Sequence, residues 1–364
     1  MIGRIKSPLR DLYHELKLIS YIVKSKFNPV PTHNKLNVYL DSFLMNSDMG
    51  RFSFIFCQYL KFCGFGLSVK IDKAFISRLA PPYKKLFLQQ NYKLVRQCQA
   101  KENTVEWVSP VGKRKWLEIA YGYRFIGTVE EGAFYMPFPL HPKFYIKQIS
   151  SDDLHLFRSQ KRNVLVFFAG NFDSRLYNRD VLKENFNGTV SRINALRYIR
   201  GRFDEPAELE FVKEPGRLHE LLEAGAKKIV LSEARTPGEQ WLSILGKAHF
   251  FLCLPGVRMP WSHNAIESMA VGTIPIIQYG SLFTPPLEHM KNAVCYTNEN
   301  ELGEVLSELF TMSEQEIAKL RSNVISYYEQ YLSAEQIVGK LSAFFSSDET
   351  TLKVIIPFLE DPVK

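Results

Sequence analysis

The stretch FFLCLPGVRMPWSHNAIESMAVGTIPIIQYG, Phe250 to Gly280, decides how the chain is read. It opens on an apolar run of strand length, Phe250 to Leu254, and breaks at Pro255 and Gly256. After a loop, Ser262 stands where a helix N-cap belongs, because its hydroxyl can accept a hydrogen bond from a first-turn N–H. Ile266, Met269 and Ala270 give the next segment an apolar face, and Gly272 is a suitable stop. A second apolar run then begins. Strand, helix, strand in so short a span is the grammar of a parallel sheet.

The same alternation runs outward on both sides. RNVLVFFAG, ending in Gly170, and KKIVLSE, HFFLCLPG and NAVCYT read as strands, with ELEFV as a shorter one. FDSRLYNRDVLKENF and RINALRYIRGRF carry helical spacing. PGEQWLSILGKA reads as a helix with Pro237 near its first turn, and the stretch from Asn298 to Leu332 as two helices with polar faces. Near the N-terminus, LNVYLD predicts a strand, SFLMNSDMG a polar loop, RFSFIFCQYLKFCG a helix stopped by Gly64, and GLSVKI a further strand. VEWVS and LEIAYGYRFIG read as strands with a short helix. In AFYMPFPLHPKFY, Pro137, Pro139 and Pro142 speak against a helix.

A chain of 364 residues exceeds one ordinary core and suits two domains of roughly 150–200 residues. The expected fold class is α/β, with two Rossmann-like doubly wound domains facing across a cleft. Residues 1–155 form the N-terminal domain, 156–335 the C-terminal domain, and 336–364 a tail that can cross back to the first.

Composition narrows the function. Hydrophobic residues make up 46% and charged residues 23%, as in globular proteins, and the formal net charge is +8. A basic chain seeks anions such as phosphorylated ligands or acidic headgroups. Zinc-finger spacing, an aromatic RNA-binding signature and dense Lys/Arg runs are all missing, so nucleic acid is not an expected partner. Cys57, Cys63, Cys98, Cys253 and Cys295 form no CxxC pair. Cys57, Cys63 and Cys253 sit in apolar runs and read as buried reduced thiols, which suits a reducing, cytoplasmic compartment. No run is long and apolar enough to span a bilayer. The N-terminal stretch Arg4 to Lys26 carries six basic residues against Asp11 and Glu15, with Leu12, Leu16, Ile19, Ile22 and Val23 near helical spacing. Two readings stay open for it: a helix packed on the first domain, or a helix resting on an anionic membrane surface, the inner face for a cytoplasmic protein.

In an open parallel sheet, ligands bind outside the carboxyl ends of the strands. Pro255 to Trp261 therefore fall on the ligand side. The helix start after Ser262 presents free N–H groups and the positive end of the helix dipole, which suits an anion. Arg258 can add a forked contact to phosphate. His263 and Asn264 stand at the same helix start. Glu267, one turn in, suits hydroxyls better than phosphate, as a ribose diol would offer. Gly170 ends another strand and is followed by Asn171, Asp173 and Arg175, with Arg179 and Lys183 beyond, a second place to hold phosphate. The plain alternative is that Ser262 and Glu267 serve only their own helix and the arginines are solvated.

The Phe250–Ile277 segment resembles the nucleotide-sugar segment of GT-B glycosyltransferases, most nearly the exostosin-like family. The resemblance rests on Pro255, Gly256, Ser262, Glu267, Gly272 and Pro275 to Ile277, and NVLVFFAGNFDSR is similar to that family's first donor-domain strand. Two positions depart from it. Asn264 stands where the family pattern has Arg, and Met259 stands eight residues before Glu267, where many retaining enzymes have Glu.

The resemblance implies a GT-B fold and transfer of a sugar from a nucleotide-sugar donor to a saccharide or glycolipid acceptor, in surface polysaccharide or glycan synthesis. Gly170, Arg175, Arg258, Ser262, His263, Asn264 and Glu267 are then the donor-binding residues. Neutralisation of the leaving diphosphate by protein cations implies no cofactor and no metal. An inverting reaction would need a base in the loop after the first strand. Asp48 and Asp41 are the candidates there, with Glu130 or Glu131 as substitutes. Two other classes stay open: a different nucleotide-using enzyme such as an epimerase or dehydrogenase, and a non-catalytic two-lobed sugar- or nucleotide-binding protein. The sequence has no Asp-x-Asp pair, no phosphate-binding P-loop, no G-x-S-x-G elbow and no H-E-x-x-H.

Overall fold

A computed structural model describes residues 8–29, 34–77, 82–96, 101–109, 112–122, 130–146, 151–177, 182, 186, 188–257 and 259–356. The chain divides into two compact units. The first holds the chain up to Tyr121, together with Glu130–Met136 and Ala334–Ile356, and the second is built on Pro137–Ser333.

The first unit is a seven-stranded sheet. Its strands are β1 (Lys35–Tyr39), β2 (Gly66–Lys70), β3 (Lys93–Val95), β4 (Thr104–Val108), β5 (Arg114–Tyr121) and β6 (Phe134–Tyr135). The seventh is β13 (Thr351–Ile356), and the order is β3-β2-β1-β4-β5-β13-β6. β1, β2 and β3 run parallel, and β13 is parallel to both β5 and β6. β4 is antiparallel to β1 and to β5. The α/β class holds for this unit and β1 to β3 are parallel as read, but β4 makes the sheet mixed rather than wholly parallel. The reason is local: only five residues separate Val108 from Arg114, and Ser109 N donates to Lys113 O at 2.8 Å. A parallel crossover needs a dozen residues or more. Helix Arg51–Phe62 is buried from Arg51 to Leu60, and the turn after it places Gly64 at φ +85°, the left-handed region glycine enters without cost.

The second unit is the doubly wound sheet that the sequence predicts. Its six strands are β7 (Val164–Ala169), β8 (Leu209–Val212), β9 (Ala226–Ser232), β10 (Ala248–Cys253), β11 (Ile274–Ile277) and β12 (Val294–Cys295). All pairings are parallel, in the order β12-β11-β10-β7-β9-β8. β7 and β11 are buried along their whole length, as strands covered on both faces must be. From β7 the chain goes out to the edge at β8, returns to β9 beside β7, and then crosses to β10 on the other flank of β7. The strand order thus reverses at β7.

Three helices here escape the sequence reading, among them Ser151–Arg158. Pro215–Ala224 lies between β8 and β9 with Pro at its first position. Pro142–Ile146 contradicts the expectation that the three prolines exclude a helix. Pro142 opens this helix, and the missing N–H of a proline is no loss at a first helical position. Pro237 precedes a turn at residues 238–240, and the helix it was expected to open begins later, at Trp241. Of FDSRLYNRDVLKENF, the helix Ser174–Tyr177 is described; Arg179 and Lys183 lie outside the described residues. Cys57 and Cys253 are buried free thiols as read, whereas Cys63 is half-buried.

Candidate functional site

The carboxyl ends of β7 and β9 and the start of helix His263–Ala270 surround one cavity of the second unit. Its volume is about 690 Å³. The reversal of strand order makes this the crevice in which a doubly wound sheet receives ligands. After β7 the wall is Gly170, Asn171 and Phe172; after β9 it is Glu233 to Thr236. Trp241, then His263, Asn264 and Glu267, close another side, and His141 and Lys143 come from the segment before β7.

The helix at the site forms for reasons visible in its residues. Ser262 has extended backbone, and its Oγ accepts the N–H of Asn264 at 3.3 Å. Residues Ala265 to Ala270 are buried. At the far end Gly272 adopts φ +71°, so that its N–H reaches Met269 O at 3.0 Å and Thr273 N reaches Ser268 O at 2.8 Å. Arg162 covers the same end, donating from Nη2 to Val271 O at 2.7 Å and from Nη1 to Ala248 O and Thr273 Oγ1. Burial, with Arg321 nearby, pulls the Arg162 pKa down to about 9.

Gly170 is where the cavity meets β7. A Cβ added there would lie 3.1 Å from Phe168 Cζ, so any side chain would crowd that ring. Arg192, which sequence reading passed over, braces both walls. Its guanidinium is buried, lies 3.9 Å from the centre of the Tyr177 ring, and donates to Asn171 O at 3.3 Å and to Pro255 O at 3.2 Å. Burial pulls its pKa down from the usual arginine value. One side chain thus ties the loop after β7 to the loop after β10.

Glu267 is placed differently from its expected role. It has 0% exposed surface. His141 N donates to its Oε1 at 3.0 Å and Trp241 Nε1 to its Oε2 at 2.6 Å. The open carboxylate expected to grip a ribose is instead a closed one. The cause is its position one turn into a helix whose face is pressed against helix Trp241–Gly246 and the 137–141 segment. Its work here is to hold His141 and Trp241 in the cavity wall. The ring centroid of His141 lies 5.6 Å from that of His263. His141 Nδ1 accepts the N–H of Lys143 at 3.2 Å, which leaves Nε2 to carry the proton of the neutral ring.

The remaining donor-side candidates divide. Gly170, His263 and Asn264 line the cavity. Ser262 caps the helix and is not part of the lining. Arg175 was expected to neutralise phosphate, but its side chain is 88% exposed, outside the lining, and turned to Asp173 at 2.8 Å. Two residues apart across a short loop, the pair closes locally and lowers the pKa of Asp173. Arg258 lies outside the described residues. Among the described residues, the lysine and arginine that line the cavity are Lys143 and Arg235, neither expected from sequence. The signal for Arg235 was present, since Glu233–Thr236 follows a predicted strand. Lys143 had none, because its place depends on a segment arriving from outside the sheet.

In the first unit, Asp41 is no free base. Its Oδ1 accepts Leu44 N at 2.6 Å as the N-cap of helix Ser42–Asn46, and its Oδ2 takes Asn103 Nδ2 at 2.9 Å and Tyr121 Oη at 2.6 Å. A carboxylate bound by three donors is committed to structure. Asp48 is partly exposed, 3.2 Å from Arg51 Nε. It begins a run of three left-handed residues, Asp48, Met49 and Gly50, at φ +43°, +59° and +85°. Glu130 is engaged by Lys353 at 2.6 Å, and Glu131 lies in the adjoining turn. Among the described residues no group of three or more His, Cys, Asp and Glu is placed to hold a metal ion.

No protein-family model matches the chain, and no curated protein is similar to it in sequence. Solved structures are similar at a distance. The trehalose-6-phosphate phosphatase N-terminal domain of Candida albicans is 12% identical, covering 96% of this chain and 78% of its own, with a TM-score of 0.38. HepE of Anabaena, solved with UDP and glucose, is 12% identical over 91% and 95%, with a TM-score of 0.35. A glycosyltransferase of Rickettsia africae is 12% identical over 95% and 83%, with a TM-score of 0.37. Scores at this level assign no activity to the chain; its two α/β units are read from their own sheets.

Proposed function

We propose that the chain is a glycosyltransferase of GT-B type that takes its sugar from a nucleotide-sugar donor held in the second unit. The observation that carries this reading is the cavity at the strand-order reversal, where Gly170, the start of helix His263–Ala270 and the cations Lys143 and Arg235 come together. The exostosin-like resemblance of Phe250–Ile277 supports it, because that segment supplies the helix start. The diphosphate lies against the first turn of that helix, near His263 and Asn264. Lys143 and Arg235 offset the charge that grows on the leaving group as the glycosidic bond breaks, in the place of a metal ion. Glu233, exposed at the rim, accepts from the ribose hydroxyls, the part first given to Glu267. The acceptor is a saccharide or glycolipid, and Asp48 takes the proton from its attacking hydroxyl.

The test is a panel of nucleotide sugars offered to the purified chain, with binding followed by calorimetry and donor hydrolysis by release of the nucleotide. At least one donor is expected to bind and to be hydrolysed slowly without acceptor. Lys143→Ala and Asn264→Ala are each expected to weaken that donor about tenfold with the melting temperature unchanged. A chain that binds no nucleotide sugar, or binds one equally well after both substitutions, sinks the reading.

A further inference from the structure

Helix Pro8–Ser25 is mounted on the first unit with its apolar face outward. At 100° per residue, Leu9, Leu12, Tyr13, Leu16, Ile19 and Val23 fall on one stripe. All six are exposed, from 79% at Leu9 to 43% at Ile19, and Phe27, one further turn on, is 85% exposed. The opposite side carries the anchorage. Leu18 and Ser25 are buried there, and Ser25 Oγ donates to Ile22 O at 2.7 Å and accepts Leu94 N at 2.9 Å. An amphipathic helix that merely packed on its domain would have turned this stripe inward.

Charge follows the same division. The two acids of the helix face the unit and are met by its cations: Asp11 by Lys73 Nζ at 2.6 Å and Glu15 by Arg96 Nη1 at 2.5 Å. Arg10, Lys17 and Lys24 stand seven residues apart, in a row along one flank of the apolar stripe. Among the described residues no carboxylate pairs with any of the three. The outer surface of the helix is thus apolar in its middle and cationic along its edge, while its negative charge is spent on the side that holds it.

We propose that this surface docks the protein on an anionic lipid bilayer, with the helix lying in the headgroup layer. The leucines enter the acyl boundary, and Arg10, Lys17 and Lys24 reach lipid phosphates from the flank. No described helix is long and apolar enough to cross a membrane, so the helix rests on the surface. The occupant is lipid, because a second protein covering this stripe would have to supply a matching row of acids, which the outer face of this helix does not offer another copy of itself. The inference is independent of the glycosyltransferase reading.

The test is co-sedimentation of the full chain with vesicles of phosphatidylcholine alone and with about one third phosphatidylglycerol, at low and at 0.5 M salt. Binding is expected to the anionic vesicles, to fall with salt, and to be absent from neutral ones. Arg10→Glu/Lys17→Glu/Lys24→Glu and, separately, Leu12→Ser/Leu16→Ser/Ile19→Ser are each expected to weaken it at least tenfold. All six sites are exposed or partly exposed, so both variants are expected to keep the wild-type melting curve and donor binding. Three results overturn the proposal: no anionic-vesicle binding by the wild type, binding undiminished in either variant, or a dimer in solution that the leucine substitutions disperse while vesicle binding is absent.

Discussion

The ends of β1 and β10 each lead through a loop toward a helix on a Rossmann-like sheet, yet one loop closes on itself while the other leads to a helix whose start lines a cavity. After β1, Asp41 is held by Leu44 N, Asn103 and Tyr121, Asn46 donates to Ser42 O and accepts from Lys84, and Asp48 meets Arg51. After β10, the chain is braced from outside by Arg192, and His263 and Asn264 at the start of the helix that follows line the cavity. Polar residues at a strand end therefore do not by themselves make a site. In the first loop Asp41 and Asn46 are spent on the fold, and only the partly exposed Asp48 is given a part in the proposed reaction.

The largest effect that would sharpen this contrast is at Glu267. Glu267→Ala leaves two buried donors, His141 N and Trp241 Nε1, without their acceptor and opens a void, so a loss of roughly 2–4 kcal/mol is expected. Donor binding should fall with it, because the wall carrying His141 loses its tie. Denaturant unfolding and calorimetry check both, and a variant with unchanged unfolding would show that the clasp is idle. Next in size is Asp48→Asn, expected to lower kcat by about 100-fold or more while stability holds, since asparagine also tolerates a left-handed backbone. Full turnover in that variant removes Asp48 as the base.

Asp41→Ala is the matched control. Loss of the cap and of the Asn103 and Tyr121 contacts should cost about 1–3 kcal/mol with donor affinity intact. An equal fall in donor affinity would break the distinction between the two loops. A smaller effect is expected at the opposite end of the second sheet. Burial and the neighbouring Arg321 lower the His249 pKa from 6.5 to about 4. The folded state then refuses a proton that the unfolded chain accepts below about 6.5. The stability is present above that pH and is lost as pH falls toward 4. A melting temperature that declines over this window in the wild type, and less in His249→Gln, is the expected record. The smallest effect is at Arg175, whose exposed pair with Asp173 contributes little. Arg175→Ala is expected to leave stability within about 0.5 kcal/mol and donor binding unaltered.

Much of the second unit is legible in its residues. β7 and β9 to β12 stand out as short apolar runs bounded by Gly, Pro or polar residues, and the Ser262 and Gly272 caps mark the ends of one helix. Helix Pro215–Ala224 escapes because it is a short segment following the weakly marked β8. The antiparallel β4 escapes because sequence pattern gives strands and not their directions. At the site, Gly170, His263 and Asn264 could be named in advance, since a strand end and a helix start are local features. Arg175 was misplaced by the same locality. Its guanidinium had Asp173 two residues away, and a nearby partner prevails over a distant ligand.

By itself, then, the order of residues determined the alternation of strand and helix in the second unit and the position of the helix that opens beside its cavity. These depend on interactions within a few residues, where spacing and caps suffice. The tertiary structure decided that Glu267 is enclosed, that Lys143 and Arg235 are the cations at hand, and that the N-terminal helix turns its leucines outward. Each of those depends on which distant segment supplies the neighbouring donor, acid or apolar surface, and no periodicity along the chain records that.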